Sequence, residues 1–138
     1  MTDVLTKEQR HRCMASIKGK NTKPERVIRK ILWSEGYRYR VHVKELAGKP
    51  DIVFPGRRKI IFIHGCFWHR HLKCLFFQWP QSNRDFWENK IMNTVARDRR
   101  ICKTLRQSGW SILVVWECET DPEKISKTIS KIRNFLDK

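Results

Sequence analysis

Apolar residues recur with the 3.6-residue period of an α-helix in three segments, and each segment follows a residue pattern typical of a helix N-terminus. A fourth segment, from Lys7 to about Lys18, carries the same N-terminal pattern but few apolar positions, which predicts a polar helix near the start of the chain. The apolar stripes are Val27, Ile28, Ile31 and Leu32 after Thr22-x-x-Glu25; Phe86 to Leu105 after Ser82-x-x-Asp85; and Ile125, Ile129, Ile132 and Leu136 after Asp121-Pro122.

Three other regions have the patterns of β-strands. Apolar and polar residues alternate from Tyr37 to Val43, which predicts a half-buried strand. Two short apolar runs flank a turn at residues 55–58 and predict a hairpin, and a turn centred near Arg57 places Asp51 opposite Ile63. The apolar run from Trp110 to Trp116 predicts a buried central strand that is parallel to others.

The order of these elements predicts an α/β fold in which a small mixed β-sheet is flanked by helices on both faces. A chain of 138 residues is the usual length of one domain, so we expect a single domain over residues 1–138. About two-thirds of the surface of the unfolded chain is buried at this length, which is enough for a core.

The composition indicates a polyanionic partner. Lys and Arg total 30 against 14 Asp and Glu, a formal net charge of +16. No apolar run has the length of a membrane span, and the N-terminus lacks the apolar stretch of a signal peptide, so nucleic acid is favoured over a membrane surface. An odd number of cysteines without an export signal predicts a cytoplasmic protein without a disulfide framework, with Cys13 and Cys102 as small core residues.

A loop between residues 63 and 74 contains an unusual density of metal-ligating side chains. Cysteine and histidine follow the pattern Cys66-x₂-His69-x-His71-x₂-Cys74, and Cys118 follows the predicted central strand. Thiolate sulfur and imidazole nitrogen are the ligands that tetrahedral Zn²⁺ takes in proteins. The sequence therefore predicts a zinc site with three cysteines and one histidine, and the spacing leaves open which histidine it is.

Acidic and basic groups beside this loop indicate catalysis. Asp51 begins an apolar strand, where a carboxylate is costly unless it is paired or bound to a cation, so it is a candidate Mg²⁺ ligand or, alternatively, a turn-capping residue. Glu25 is either the third residue of a capping box or part of the same site. His64 and the histidine that does not bind zinc are candidates for proton transfer.

Aromatic and basic residues suggest how nucleic acid is contacted. Phe67, Trp68 and Trp87 lie in or near the Cys/His loop, and large exposed aromatics wedge between or stack on bases. The alternative is that these three side chains are part of the core. Arg97, Arg99 and Arg100 are candidates for contacts with backbone phosphates, although a charge run is more often a solvated face.

Five motifs of the chain are distinctive: Gly-Lys-Pro-Asp51-Ile-Val-Phe, Ile-His64-Gly-Cys-Phe-Trp-His69-x-His71-x-x-Cys74, Phe86-Trp87-x-x-Lys, Arg97-Asp98-Arg-Arg and Val-Trp116-Glu-Cys118. They closely resemble motifs of the very-short-patch (Vsr-type) DNA mismatch repair endonucleases, and the similarity extends from the first helix to Cys118. The restriction-enzyme pattern Glu-x-Lys is absent after the hairpin, as it is in that family, and Ile63 stands where the family often has Thr.

The resemblance implies a fold similar to type II restriction endonucleases and a specific activity: nicking DNA 5′ to the thymine of a T:G mismatch left by deamination of 5-methylcytosine. It implies a helix within residues 1–20 that contacts DNA from the minor groove. By the same resemblance the site residues are Cys66, His71, Cys74 and Cys118 for zinc; Asp51 and the Ile63 backbone carbonyl for Mg²⁺; His69 as general base; Glu25 and His64 for ordering water; and Phe67, Trp68 and Trp87 as intercalators.

The resulting hypothesis is Mg²⁺-dependent phosphodiester hydrolysis in mismatched duplex DNA by a cytoplasmic, nucleoid-associated monomer. The resemblance also implies a functional link to a DNA cytosine-5 methyltransferase. Two alternatives explain part of the sequence: a non-catalytic zinc-stabilised module that binds DNA or RNA, and a restriction-type nuclease that cuts matched DNA.

Overall fold

The computed structural model describes residues 22–71, 74 and 77–138. The predicted N-terminal helix, the proposed DNA-contacting segment 1–20 and Cys13 lie outside these residues. The described elements, in chain order, are α1 (Lys23–Ser34), β1 (Arg40–Val41), β2 (Ile52–Phe54), a 3₁₀ turn (Pro55–Arg57), β3 (Lys59–His64), α2 (Arg84–Gln107), β4 (Ser111–Trp116), a second 3₁₀ turn (Glu117–Thr120) and α3 (Ile125–Leu136).

The four strands form one sheet in the order β1-β2-β3-β4. β1 and β2, and β2 and β3, are antiparallel, whereas β3 and β4 are parallel. The small mixed sheet predicted from the sequence is therefore confirmed. Helices α1 and α3 pack on one face through Ile28, Leu32 and Ile132, and α2 packs on the other face through Leu105.

The hairpin register differs by one residue from the prediction. Phe54 pairs with Lys59 and Ile52 with Ile61, so the four-residue turn is centred between Gly56 and Arg57 rather than near Arg57. Arg58 closes this turn in a left-handed conformation with φ of 56°. This register aligns Asp51 with Phe62, whereas the predicted register aligned it with Ile63. Asp51 nevertheless contacts Ile63, because its side chain accepts a hydrogen bond from the Ile63 backbone N–H.

Two predicted strands differ in extent or place. The alternation from Tyr37 to Val43 yields only the two-residue strand β1, whose residues are both exposed. The strand predicted to be central is β4, which is parallel to β3 as expected but is the outer strand among the described residues. A continuous apolar run suits burial on both faces, but here β4 is mostly half-buried because it has a described neighbour on one side only.

The helix starts were predicted less accurately than the helices themselves. Thr22 caps α1 as predicted, since its hydroxyl accepts from the Glu25 backbone N–H at 3.5 Å. Helix α2 begins after Asn83, which lies in a left-handed conformation without a side-chain cap, rather than after a Ser82 cap. Helix α3 begins at Ile125, because the residues after Asp121 form a turn in which the Asp121 carbonyl accepts from the N–H of Ile125 at 2.9 Å.

Lys59 ties the hairpin to the end of α3. Its buried ammonium donates to the backbone carbonyls of Phe135, of Leu136 at 3.2 Å and of Lys138 at 3.0 Å. The first two carbonyls belong to the last turn of the helix, whose carbonyls lack intrahelical donors and carry partial negative charge, and that of Lys138 lies just beyond it. The interaction fixes the start of β3, whose opposite end carries His64.

Candidate active site and metal centre

Seven separate parts of the chain line one cleft of about 1720 Å³. The start of α1, the segment after β1, the residue before β2, the end of β3, the loop that follows it, helix α2 and the second 3₁₀ turn each contribute a polar side chain. Because the ends of adjacent elements meet at one edge of the sheet, residues far apart in sequence come together. The polar lining includes Glu25, His42, Asp51, His64, His69, Arg97 and Asp98.

Two carboxylates and a histidine meet at one point in the cleft. Glu25 is only 2% exposed, and its Oε2 lies 2.9 Å from Nε2 of His42. Asp51 accepts a hydrogen bond of 2.7 Å from the backbone N–H of Ile63. One ligand atom from each of Glu25, His42 and Asp51 lies within 4.8 Å of the others, so the three side chains converge on one small volume.

The electrostatics of this cluster favour a cation. Burial, and then the neighbouring Glu25 carboxylate, raise the pKa of Asp51 to about 7, although the Ile63 N–H opposes this shift. Two buried carboxylates repel each other unless a proton or a metal ion lies between them. Carboxylate oxygens are the ligands that Mg²⁺ prefers, so Asp51 and Glu25 fit a hard divalent cation.

His69 is held by an aspartate from α2. Its Nδ1 lies 2.6 Å from Oδ2 of Asp98, and both side chains are about one-fifth exposed, at 21% and 18%. An ionised carboxylate only accepts hydrogen bonds, so this contact places the His69 proton on Nδ1 and leaves Nε2 as the basic nitrogen. The arrangement can orient a general base at the wall of the cleft.

The ring of His64 stacks on the ring of His69. The rings of His64 and His69 are 3.9 Å apart and nearly parallel. Burial, and then the nearby His69 ring, lower the pKa of His64 to about 4. His64 is therefore neutral at pH 7 and has one ring nitrogen that accepts and one that donates a hydrogen bond.

The Cys/His loop closes on the end of β4. His64 at the end of β3 pairs with Trp116 at the end of β4. A cysteine follows each of them by two residues, Cys66 after His64 and Cys118 after Trp116. The Cys118 N–H donates to the Cys66 sulfur at 3.4 Å, and His71 stacks on Trp116 with 4.2 Å between ring centroids. One ligand atom from each of Cys66, His71, Cys74 and Cys118 lies within 4.8 Å of all the others.

The distances in this cluster suit a tetrahedral metal. Nδ1 of His71 is 3.6 Å from the sulfur of Cys66 and 3.4 Å from that of Cys118. Zinc bonds of about 2.3 Å to sulfur and 2.0 Å to nitrogen place such ligands about 3.5 Å apart in a tetrahedron. Burial raises the pKa of the Cys66 and Cys118 thiols and lowers that of His71. A bound cation stabilises the thiolates against that burial, so the cluster can hold a metal ion.

The predicted aromatic residues meet at the mouth of the cleft and are half-buried. Phe67 and Trp68 line the cleft, and Trp87 contacts both rings at centroid distances of 5.6 and 5.7 Å. Phe86 extends the cluster and is 58% exposed. Because none of these side chains is sealed in the core, the cluster presents an aromatic surface to solvent.

The predicted arginines of α2 are all exposed but occupy different places. Arg97 lines the cleft. Arg99 lines a second, smaller cavity of about 590 Å³, and Arg100 lines neither cavity. Arg97 and Arg99 thus each share a cavity with His64, His69 and Asp98.

The sequence did not identify two residues of the site: His42, the partner of Glu25, and Asp98, the partner of His69. His42 appeared as a polar position of a strand, and Asp98 as part of a charged helix face. Neither has a local signal, because each meets its partner across 17 or 29 residues of chain. The left-handed conformation of His42, with φ of 48°, is a property of the fold and is invisible in the sequence.

Comparison with known proteins identifies the family. The sequence profile described as DNA mismatch endonuclease Vsr matches residues 2–75, more than half of the chain. The chain belongs to the Vsr family. This confirms the resemblance inferred from the sequence motifs, and membership makes the protein a DNA endonuclease, a hydrolase of phosphodiester bonds.

Several members of the family are similar over most of their length. The chain is 46% identical to the type II nicking enzyme V.XorIIP of Xanthomonas oryzae pv. oryzae, over 99% of this chain and 98% of that enzyme. It is 42% identical to the type II nicking enzyme V.NmeAIP of Neisseria meningitidis, over 99% and 100%. It is 41% identical to the DNA mismatch endonuclease Vsr of Escherichia coli K12, over 86% and 75%.

The name of the Escherichia coli relative describes an endonuclease of mismatched DNA, and the names of the other two describe nicking enzymes. None of the helices in the described part of the chain combines the length and apolar character needed to span a bilayer.

Proposed function

We propose that this protein is a Mg²⁺-dependent endonuclease that nicks one strand of duplex DNA 5′ to the thymine of a T:G mismatch. Mismatches of this kind arise when 5-methylcytosine deaminates, and the nick starts very-short-patch repair. The proposal is supported by membership of the Vsr family and by similarity to nicking enzymes and to a mismatch endonuclease.

The observation that carries the proposal is the contact of 2.6 Å between His69 and Asp98 at the wall of the cleft that Asp51 and Glu25 also line. Hydrolysis of a phosphodiester needs a base to activate water and positive charge near the phosphate. An oriented imidazole and a buried acidic cluster in one cavity supply a base and a cation site together.

Asp51 is the proposed Mg²⁺ ligand, with the backbone carbonyl of Ile63 as a second one. The fit is supported by the convergence of Asp51, Glu25 and His42 within 4.8 Å and by the raised pKa of Asp51. When bound, Mg²⁺ supplies Lewis-acid chemistry that polarises the scissile phosphate and offsets charge on the leaving oxygen. Asp51 must lose its proton to act as a ligand.

His69 is the proposed general base. Nε2 takes a proton from water as the water oxygen bonds to phosphorus, and the bond from phosphorus to the leaving deoxyribose oxygen breaks. Asp98 accepts a hydrogen bond from the Nδ1–H and stabilises the imidazolium that forms, as the aspartate of a Ser-His-Asp triad does. Glu25 and the neutral His64 orient the attacking water.

The aromatic cluster and the arginines are proposed to act on the DNA itself. Phe67, Trp68 and Trp87 enter the base stack beside the mismatch, and a mismatched pair costs less to unstack than a matched one. Arg97, Arg99 and Arg100 contact backbone phosphates and orient the duplex without reading its sequence.

A structural zinc ion is proposed at Cys66, His71, Cys74 and Cys118. The fit rests on the donor set and on the separations of 3.4 to 3.6 Å between His71 and two of the sulfurs. Four protein ligands leave no open position on zinc, so its contribution is to fix the loop that bears His69 and the aromatic residues.

We propose a fold similar to that of type II restriction endonucleases, in one domain over residues 1–138. The mixed sheet with helices on both faces and an acidic residue at the start of a hairpin strand supports it. A helix within residues 1–20 is proposed to contact DNA from the minor groove, which the net charge of +16 favours.

We propose that the protein acts as a monomer on the bacterial nucleoid in the cytoplasm. Its substrate arises only where 5-methylcytosine is made, so a DNA cytosine-5 methyltransferase is its functional companion. The support for this setting is the chemistry of the proposed substrate.

The decisive experiment uses duplexes that carry either a T:G or a matched T:A pair, with each strand labelled in turn. With Mg²⁺ we expect a single nick in the thymine strand of the T:G duplex and no cut in the matched one. Cutting of both strands in matched DNA indicates a restriction-type nuclease, and binding without any nick indicates a non-catalytic module. Either result contradicts the proposal.

Two variants test the assignments inside the site. Asp51→Ala and His69→Ala should each abolish nicking while the affinity for the T:G duplex remains. Zinc content is the control: the His69 variant should retain a full equivalent of zinc. Loss of that zinc would move His69 into the ligand set, and nicking by Asp51→Ala would exclude Asp51 as the Mg²⁺ ligand.

A further inference from the structure

A second cavity, of about 590 Å³, meets the proposed catalytic cleft at His64, His69 and Asp98, which line both cavities. Its floor is apolar and includes Val114 and Trp116 of β4. The proposed function gives no role to Arg70, Lys103, Arg106 or the apolar floor of this cavity. Its position nevertheless places any ligand it holds beside the histidine proposed as general base.

The rim of the second cavity carries four cations. Arg99, Lys103 and Arg106 lie at helical spacings of four and three along α2, so they share one face of that helix, and Arg70 comes from the Cys/His loop. Asp98 is the one carboxylate among the described residues that line the cavity, and it already accepts from His69. Like charges at these spacings repel each other, and an anion between them removes that repulsion.

The rim cations have no acidic partners in the part of the chain that the structure describes. Ion pairs there include Arg84 with Glu88 and Arg133 with Glu35, whereas none involves the four rim residues. The Nε of Arg70 is buried and has no hydrogen-bond partner among the described residues. A buried guanidinium N–H without an acceptor is costly, and phosphate oxygens are the acceptors that arginine binds best.

The chemistry of the cavity suits a nucleotide. Phosphate oxygens match the cationic rim, and the flat or aliphatic parts of a nucleotide match the floor formed by Val95, Val114 and Trp116. Because His69 lines both cavities, a strand with its scissile phosphate in the cleft can place a neighbouring nucleotide here.

We infer that the second cavity binds a phosphate that flanks the scissile one on the nicked strand, with its sugar and base against the apolar floor. The inference rests on the proposed function and extends its DNA contacts to Arg70, Lys103 and Arg106. It makes Lys103 and Arg106 positioning residues that hold the strand in register with His69.

The test is a charge-removal cycle between protein and DNA. Lys103→Gln and Arg106→Gln remove one charge each from exposed positions of a helix, where glutamine is well tolerated. Lys127→Gln is the matched control, because Lys127 is an exposed residue of α3, on the opposite face of the sheet, and lines neither cavity. The DNA is a T:G duplex in which one phosphate at a time is a neutral methylphosphonate.

Dissociation constants are measured for zinc-loaded protein without Mg²⁺, so that binding is observed without nicking. We expect one position flanking the nick where the neutral phosphate weakens the wild type and the control several-fold but leaves the Lys103 and Arg106 variants almost unaffected. The slope of log affinity against log salt should fall by about one in each of these variants.

The inference is wrong if every neutral phosphate weakens the two variants as much as the wild type, or if the coupled position is the scissile phosphate itself. Nicking of unmodified T:G duplex by the wild type is measured in parallel. Absence of nicking contradicts the proposed function, whereas the binding cycle still reports whether the cavity holds a flanking phosphate.

Discussion

Asp51 and Asp98 are two aspartates of one cleft whose surroundings give them different chemistry. Asp51 is deeply placed beside a second carboxylate, and its pKa is raised to about 7. Asp98 is half-buried and pairs with a ring nitrogen of His69. One environment therefore favours a cation, and the other favours a fixed hydrogen bond to a base.

Replacing Asp98 with asparagine tests its positioning role. An amide at 2.6 Å from Nδ1 can donate as well as accept, so Asp98→Asn removes the charge and allows the wrong tautomer of His69. We expect the single-turnover rate of nicking to fall by about 10²- to 10⁴-fold. DNA affinity and zinc content should not change. A rate within about threefold of the wild type would show that Asp98 does not orient the base.

The raised pKa of Asp51 predicts how stability depends on pH in protein without Mg²⁺. The folded state retains the Asp51 proton up to about pH 7, whereas the unfolded state loses it near the ordinary value of 3.8. The folded state therefore binds more protons between these values, and its stability falls as pH rises through that window. Asp51→Asn lacks this penalty, so it should match the wild type near pH 4 and be more stable at pH 7.

The difference is measured by urea unfolding of zinc-loaded protein at several pH values, and we expect about 1 to 3 kcal/mol at pH 7. Saturating Mg²⁺ should reduce it, because the metal replaces the proton in stabilising the two carboxylates. A constant difference at all pH values would mean that Asp51 titrates normally.

Among the elements, the parallel pair β3 and β4 positions the proposed metal centre, because each strand ends two residues before a cysteine. The Cys/His loop is thereby fastened to a strand that follows it by some forty residues. The loop carries Phe67, Trp68 and His69. A metal ion where the loop meets the strands therefore fixes both the proposed aromatic wedge and the proposed general base, His69.

Cys118→Ser tests this coupling of elements. We expect loss of the bound zinc and a decrease of several kcal/mol in the free energy of unfolding, since structural zinc binding contributes to folding. Nicking and DNA binding should both decline as the loop loses its anchor. Cys102→Ser is the matched control: Cys102 lies on α2 outside the four-residue cluster, so zinc should remain. Full zinc in the Cys118 variant would contradict the ligand set.

The element level also shows why some sequence predictions were inaccurate. Apolar periodicity predicted all three described helices, because apolar residues spaced three or four positions apart are a local property of the sequence. The hairpin register was wrong by one residue because it depends on the geometry of Arg58 in the turn, which the residue types alone do not specify. The outer position of β4 depends on which strands pair with it, a long-range choice.

At the scale of the whole molecule, a net charge of +16 favours binding to DNA. Neutralising phosphates releases counterions, so affinity depends steeply on salt. In the proposed mechanism the aromatic cluster acts differently, because stacking and unstacking of bases involve little net charge. The two contributions should therefore separate when the salt concentration changes.

Raising salt from 50 to 200 mM should lower the affinity for both T:G and matched duplexes by about 10³-fold or more, if about six phosphates are contacted. The ratio of the two affinities should change far less, because the wedge rather than the charge selects the mismatch. Fluorescence anisotropy of labelled duplexes measures both. A preference for T:G that disappears at high salt would assign mismatch selection to electrostatics instead.

The sequence by itself determined the helices, the mixed sheet, the polyanionic partner and the family, because periodicity, composition and motifs are contained in the order of residues. The tertiary structure decided which groups meet. It brought His71 rather than His69 to the sulfur atoms, and it joined His69 to Asp98. Such contacts depend on distances of a few ångströms between residues far apart in the chain, which only the packing of helices on the sheet can set.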